Sequence, residues 1–230
     1  MDQKSEFISI ATHQLRMPLV AIKWAIKMIL DGDAGKLTAE QRELLNKCYL
    51  SNEKIISLVD DILNVSRIKD GRLKFNFAKT DFQEVIDEAV GATESFLVNK
   101  HQELIIQKPE KLPKVYLDKG KMIMVMQDLL DNAIKYSPEH GKIKIIIQAD
   151  KLFLYVKINN QGAGIPKKDQ PKIFSKFFRA TNAIKAKING NGLGLFFVKN
   201  IIKKHNGKIS LKSEEGKGVE INFSIPINKF

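Results

Sequence analysis

Cysteine is almost missing from this sequence: Cys48 is the only one in 230 residues. An internal disulfide and a cysteine-based zinc module are therefore excluded, and stability must come from packed cores. Long apolar runs are missing too. Lys23 and Lys27 interrupt the best candidate, residues 19–30, and nothing approaches the ~20 uninterrupted apolar residues of a spanning helix. Asp2, Lys4, Glu6 and His13 leave no apolar stretch for a signal peptide in residues 1–15. These absences predict a chain of cytoplasmic character without a membrane segment of its own. Arginine is scarce, with only Arg16, Arg42, Arg67, Arg72 and Arg179 among 38 basic residues. Surfaces that grip phosphates or read bases lean on arginine forks, so the net charge of +12 reads as a solvated lysine surface and no nucleic-acid partner is expected. A hydrophobic fraction of 43% with 28% charged residues excludes whole-chain disorder.

The charge divides the chain. Residues 1–70 carry ten basic and ten acidic groups, so the whole excess lies in residues 71–230. The first part holds two helical patterns. Ile8, Ala11, Leu15, Leu19, Ile22, Ile26 and Ile29 form one stripe at three- and four-residue spacing. Asp31 to Gly35 breaks it, and Thr38 with Gln41 has capping-box spacing for a second helix with the stripe Leu44, Leu45, Cys48, Ile55, Val59, Ile62, Val65. Two antiparallel helices of this length expose a seam that one hairpin cannot bury, so a four-helix bundle made by two chains, a homodimer through residues 1–70, is expected.

From Leu73 the texture changes. Leu73 to Phe77 alternates like a strand, Asp81 caps a helix to about Asn99, Glu103 to Gln107 and Val115 to Leu117 read as short strands, and Asp118 opens a helix to Tyr136. Ile143 to Ala149 and Phe153 to Asn159 are strands joined by a tight Asp150-Lys151 turn, and Lys208 to Ser213 pairs with Val219 to Ile225. Without regular βαβ alternation this order favours an α/β sandwich, with helices on one face of a mixed sheet.

The chemistry-bearing residues fall in that second part. Gly162-Ala163-Gly164 follows a strand, Gly190-Asn191-Gly192-Leu193-Gly194 opens an apolar helix, and Gly216-Lys217-Gly218 comes last. Glycines allow close backbone approach to a ligand, and a helix N-terminus offers free amides to phosphate. The runs lack the Gly-Lys-Ser/Thr ending of a P-loop and are far from the first strand, so neither Walker nor Rossmann chemistry fits. Asp128, Asn132 and Lys135 recur at i, i+4 and i+7, placing a carboxylate, an amide and an ammonium on one helix face suited either to Mg2+ and phosphate or to plain solvation.

Together these segments resemble sensor histidine kinases of two-component signalling, over nearly the whole chain and in that family's order. Phe7 to Leu19, with His13 and Pro18, looks like the H-box. Leu129 to Pro138 looks like the N-box, Gly162 to Pro166 like the G1 box, Ile173 to Arg179 like the F-box, and Gly190 to Leu195 like the G2 box. The resemblance implies an α+β protein: an N-terminal helical hairpin, dimerisation and phosphoacceptor domain at 1–70, then an α/β sandwich of the Bergerat ATPase type, the ATP-binding domain, at 71–230. It makes His13 the phosphoacceptor beside Gln14, and gives Asn132 and Asp128 to Mg2+ and Lys135 to phosphate. Tyr136, Asn160, Gly162, Gly164, Ile165, Arg179, Gly190, Gly192, Leu193 and Gly194 would surround ATP, under a lid from Arg179 to Gly192 that includes Asn182, Asn189 and Asn191. Phe174, Phe177 and Phe178, core aromatics at helical spacing, would anchor the lid's base. Proline lacks the amide that would bond the Gln14 carbonyl, so a bend beyond His13 is expected. The implied partner is the receiver domain of a response regulator, and the chain would be the cytoplasmic end of a longer sensor.

Four positions depart from the family's pattern. Asn160 stands where Asp usually accepts the adenine amino group, Gln14 where an acid commonly orients the histidine, Met17 where Thr or Asn commonly positions water, and Asp128 where Asn is frequent. Met17 implies a kinase without efficient phosphatase activity, and Asp128 could permit slow ATP hydrolysis. Two readings follow: an active kinase, or a degenerate one that keeps the dimer and docks partners with weakened ATP binding.

Overall fold

A computed structural model describes residues 3–69, 71–186, 188 and 190–229; the side chains of residues 3–10, 13, 67 and 69 are not among those described. The chain forms two compact units, residues 1–74 and 75–230.

The first unit is an antiparallel hairpin of α1 (Gln3–Asp31) and α2 (Ala39–Lys69). Thr38 and Gln41 form the expected reciprocal cap: the Thr38 amide donates to Gln41 Oε1 at 3.0 Å and the Gln41 amide to Thr38 Oγ1 at 3.2 Å. Arg42 closes the turn by donating to the Leu30 carbonyl at 3.0 Å. Across the hairpin, Arg16 pairs with Asp60 at 3.3 Å and Lys23 with Glu53 at 2.8 Å. Buried Asn52 donates to the Leu19 carbonyl at 2.8 Å. These polar contacts fix the pairing of the helices. Parts of both apolar stripes stay uncovered within one chain, with Leu15, Ile22, Leu44 and Ile55 exposed, as are Trp24 and Leu50 outside the stripes. Helix α1 runs through Pro18 without interruption.

The second unit carries a five-stranded mixed sheet, with strand order β2 (Glu103–Gln107), β4 (Lys142–Ala149), β5 (Phe153–Asn160), β7 (Gly218–Pro226), β6 (Lys208–Glu214). Only β2 and β4 run parallel. Ile143, Ile145 and Ile147 on β4, Leu154, Val156 and Ile158 on β5, and Ile221, Phe223 and Ile225 on β7 alternate into the core. There they meet α3 (Phe82–Asn99), α4 (Lys119–Tyr136) and α6 (Gly194–Lys204). The opposite face presents lysines, asparagines and glutamates to solvent. Asp81 and Asp118 are the N-caps of α3 and α4, accepting from the amides of Gln83 and Lys121 at 2.9 Å each. The α/β sandwich with helices on one face is as expected.

Three local expectations need correction. Residues 73–77 are not a strand; the first strand, β1 (Ala78–Asp81), starts one residue later and pairs antiparallel with β3 (Lys114–Leu117) in a small separate sheet. The alternating Phe75 and Phe77 stack with each other at 5.6 Å and both lie on His205, while the Asn76 amide donates to the Asp118 carboxylate at 2.7 Å instead of to a strand. The turn between β4 and β5 spans three residues, because Asp150 Oδ1 accepts from the amides of both Leu152 and Phe153 at 2.7 Å. Residues 173–179 form turns and not a helix. Phe177 takes a left-handed φ of 59° and is exposed, whereas Phe174 and Phe178 pack on a second apolar cluster of Ile165, Ile173, Ala180 and Ala183. The expected helical spacing of the three aromatics is therefore absent. Among the described residues, no helix is long and apolar enough to cross a membrane.

Candidate nucleotide site

Helix α4 is the platform. Met122, Val125, Met126, Leu129, Leu130, Ala133 and Ile134 bury one face, which leaves Asp128, Asn132 and Lys135 on the other, as their spacing requires. Asn132 Nδ2 donates to the Asp128 carbonyl at 2.7 Å, so its amide oxygen remains the end available to a cation. Asp128 points its carboxylate toward the start of α6: a Cβ on Gly194 would lie 3.6 Å from it. Asn132 and Asp128 are hard oxygen donors suited to Mg2+. Among the described residues no cluster of three or more His, Cys, Asp or Glu side chains could hold a metal alone, so such an ion would need oxygens from a bound phosphate ligand.

Lys135 stands in the last turn of α4. Burial, and then the neighbouring Arg179 guanidinium, hold the Lys135 ammonium below its ordinary pKa, opposed by Asp131. Lys135 Nζ lies 5.3 Å from the Tyr136 ring centroid and only 2.8 Å from where a Cβ would stand on Gly190. Tyr136 is shifted upward by burial, with Arg179 working against it.

The glycines surround that point for steric reasons. A Cβ on Gly162 would strike the Tyr136 carbonyl oxygen. Gly164, at φ +66°, would strike the Glu214 carbonyl, and Gly192, at φ +73°, would come within 2.7 Å of the Phe177 and Phe178 backbone. Each position is open to glycine and closed to other residues. Leu193 is fully buried ahead of α6, and among the described residues no side-chain cap hydrogen bond closes the start of that helix, the end at which a helix carries its positive dipole charge. Ile165 packs in the second apolar cluster beneath the G1 loop.

Asn160 ends β5 with its amide orientation fixed. Nδ2 donates to the Gln161 carbonyl at 3.0 Å and to Ser137 Oγ at 3.4 Å, so its oxygen is the remaining acceptor. The segment for which a lid is expected contains a short helix, α5 (Thr181–Lys185), tied at its start. Asp169, whose pKa is lowered chiefly by the Thr181 amide, accepts from the Thr181 amide at 2.7 Å and hydroxyl at 2.8 Å. Asn182 donates to the Gly164 carbonyl at 2.8 Å, and Arg179 donates to the Ile188 carbonyl. Asn191 accepts from the Leu193 amide at 3.0 Å. Asn189 lies outside the described residues.

Thus Asp128, Asn132, Lys135, Tyr136, Arg179, Gly190 and Gly194 form one neighbourhood, with Gly162 against Tyr136 and Asn160 beside Ser137. Sequence reasoning passed over Asp169, Thr181 and Ser137, whose roles depend on contacts 12 and 23 residues away. Gln14, like Met17, is exposed in the first unit. His13 lies on α1, and its side chain is outside the described residues.

Known proteins match both parts of the chain. Residues 3–71 match the His Kinase A (phospho-acceptor) domain, and residues 117–229 match the histidine kinase-, DNA gyrase B-, and HSP90-like ATPase family. The chain is 32% identical to sensor histidine kinase WalK of Bacillus subtilis, over 98% of this chain and 37% of that protein. It is 29% identical to the adaptive-response sensory kinase SasA of a Synechococcus strain, over 99% of this chain and 60% of that one. It therefore spans less than two thirds of the length of these relatives. Among solved structures it resembles the Acinetobacter baumannii histidine kinase AdeS, with a TM-score of 0.67 and 27% identity over 94% of this chain and 98% of that one. Full-length ShkA in complex with AMPPNP gives a TM-score of 0.81 at 22% identity, covering 98% of this chain and 46% of that one, a likeness of fold. A phosphoacceptor-type helical hairpin followed by a gyrase-like ATPase sandwich, matched by models for both parts, places this chain in the sensor histidine kinase family.

Proposed function

We propose that the protein binds ATP with Mg2+ in its second unit, phosphorylates His13 of a homodimeric hairpin, and passes the phosphoryl group to an aspartate on a response-regulator receiver domain. The observation that carries this reading is Lys135 Nζ standing 2.8 Å from the Cβ position of Gly190, with Asn132 and Asp128 one and two turns back along α4. Asn160 with a fixed acceptor oxygen supports recognition of an amino group on the base, in place of the carboxylate usual at that position. AMPPNP in ShkA is consistent with a nucleotide in this fold.

In this reading residues 1–70 dimerise and accept the phosphoryl group, and residues 71–230 hold the nucleotide. Lys135 and Arg179 offset the charge of the phosphates and the α6 amides receive their oxygens. Asn132 and Asp128 would hold Mg2+ through their oxygens, and the ion would supply positive charge against the phosphates. A neutral imidazole nitrogen of His13 forms the new bond to the γ-phosphorus as the bond to the β–γ bridging oxygen breaks, ADP leaves, and the imidazole proton is released. Gln14 carries no charge, so it orients the ring without taking that proton, which goes to solvent.

Incubation with γ-labelled ATP and Mg2+ tests the assignment. Acid-labile label is expected on the wild type and none on His13→Gln. Label that survives in His13→Gln, or none on the wild type, refutes it.

A further inference from the structure

The turn that follows α3 grips the far end of α4. Lys100 Nζ donates to the carbonyls of Ile134 at 2.9 Å, Lys135 at 3.2 Å and Ser137 at 3.2 Å. Two residues on, Gln102 Nε2 donates to the carbonyls of Ile134 at 3.1 Å, Ser137 at 3.2 Å and Pro138 at 2.9 Å. The main chain joins the same two segments, with the His140 amide donating to Lys100 and the Glu103 amide to Gly141, both at 3.0 Å. His101 and His140 stack across them at 5.2 Å, each at a left-handed φ.

A helix leaves its last carbonyls without internal partners. Here one ammonium and one carboxamide serve them, and the ammonium also opposes the negative end of the helix dipole. Gln102 is buried, and its Oε1 has no hydrogen-bond partner among the described residues. A buried acceptor left unmatched is a cost, accepted so that Nε2 faces three carbonyls. The gripped turn carries the nucleotide side of the site: Lys135 reaches the Gly190 loop, the Tyr136 carbonyl packs on Gly162, and Ser137 Oγ accepts from Asn160.

We propose that Lys100 and Gln102 are positioning residues for the nucleotide site, holding the C-terminal turn of α4 so that Lys135 meets the glycine loop and Asn160 keeps its amide orientation. The proposal rests on the nucleotide reading above and assigns neither residue a contact with the ligand.

The test uses the full chain. In nucleotide-free protein, Lys100→Met and Gln102→Met should speed amide hydrogen exchange across residues 134–138. By calorimetry each should weaken binding of Mg2+-ATP roughly 5- to 20-fold, while Lys100→Arg, which can still donate to several carbonyls, should recover most of the affinity. Lys100→Met added to Lys135→Ala should cost little beyond Lys135→Ala alone, because a residue that acts through Lys135 has nothing further to position. Leu154→Val, a core change on β5, should lower the melting temperature without changing affinity, which separates positioning from general destabilisation. Wild-type protein that binds Mg2+-ATP beside Lys100→Met and Gln102→Met variants of unchanged affinity or unchanged exchange overturns the positioning role alone. Full additivity with Lys135→Ala overturns it as well. Wild-type protein that fails to bind Mg2+-ATP takes down the nucleotide reading, and this proposal with it.

Discussion

The two units handle apolar surface in opposite ways. In the sandwich, Phe82, Leu117, Met126 and Ile145 are wholly buried within one chain, while in the hairpin Met17 and Trp24 are each 60% exposed and Leu50 59%. A two-layer α/β unit closes its core with its own elements, whereas two helices present a stripe on more than one side and can cover only one of them. The difference teaches that the sandwich closes its core with its own elements, whereas the hairpin leaves apolar side chains that the proposed dimer would cover.

The comparison breaks most visibly at the hairpin. Trp24→Lys with Leu50→Lys should weaken dimerisation by roughly 100-fold or more, about 3 kcal/mol, since lysines would sit in the apolar seam. Analytical ultracentrifugation reads this, with Mg2+-ATP binding unchanged; a dimer that persists would show that these rows are not the seam. In the sandwich, Gly164→Ala should cost about 2 to 3 kcal/mol in urea unfolding, because the new methyl group meets the Glu214 backbone at a left-handed φ.

A smaller effect is confined to the sandwich by pH. Burial holds the His205 pKa below its ordinary value, opposed by the Ile201 carbonyl and Asp118. Its Nε2 accepts from the Asp118 amide at 3.0 Å, so the ring is neutral in the fold. For a base with a depressed pKa the unfolded chain binds the extra proton. The stability contribution is therefore complete above about pH 6.5, the unfolded value, and is lost as pH falls from there through the folded value. Melting temperatures of the sandwich should drop over that window, and His205→Gln, which can still accept from Asp118, should flatten the dependence. The smallest effect returns to the hairpin: Thr38→Ala should lower its stability by about 1 kcal/mol, measured by thermal unfolding, with nothing changed in the sandwich.

Much of this was legible because it is local. Asp81 and Asp118 announce α3 and α4 by caps that act within three residues, and Thr38 with Gln41 does so for α2. The polar face of Asp128, Asn132 and Lys135 follows from helical spacing alone. Failures occurred where distant contacts override local pattern. Leu73 to Phe77 alternates like a strand, yet His205 and Tyr116 claim its two phenylalanines before any strand can pair. Phe174, Phe177 and Phe178 have helical spacing, yet the glycine at 192 brings a second backbone against Phe177 and Phe178 that no helix would admit. Lys100 and Gln102 carried no local signal, because the carbonyls they serve lie 32 to 37 residues away.

By itself the sequence determined the elements, the caps, the division of charge and which residue types were available for phosphate chemistry, since each depends on spacing within a few residues. Only the tertiary structure decided that Lys135 reaches Gly190, that Asn160 turns its NH2 toward Gln161 and Ser137, and that the end of α4 is held by a turn from another part of the chain. Those outcomes depend on close approach between segments far apart in the chain, which packing selects and local pattern does not encode.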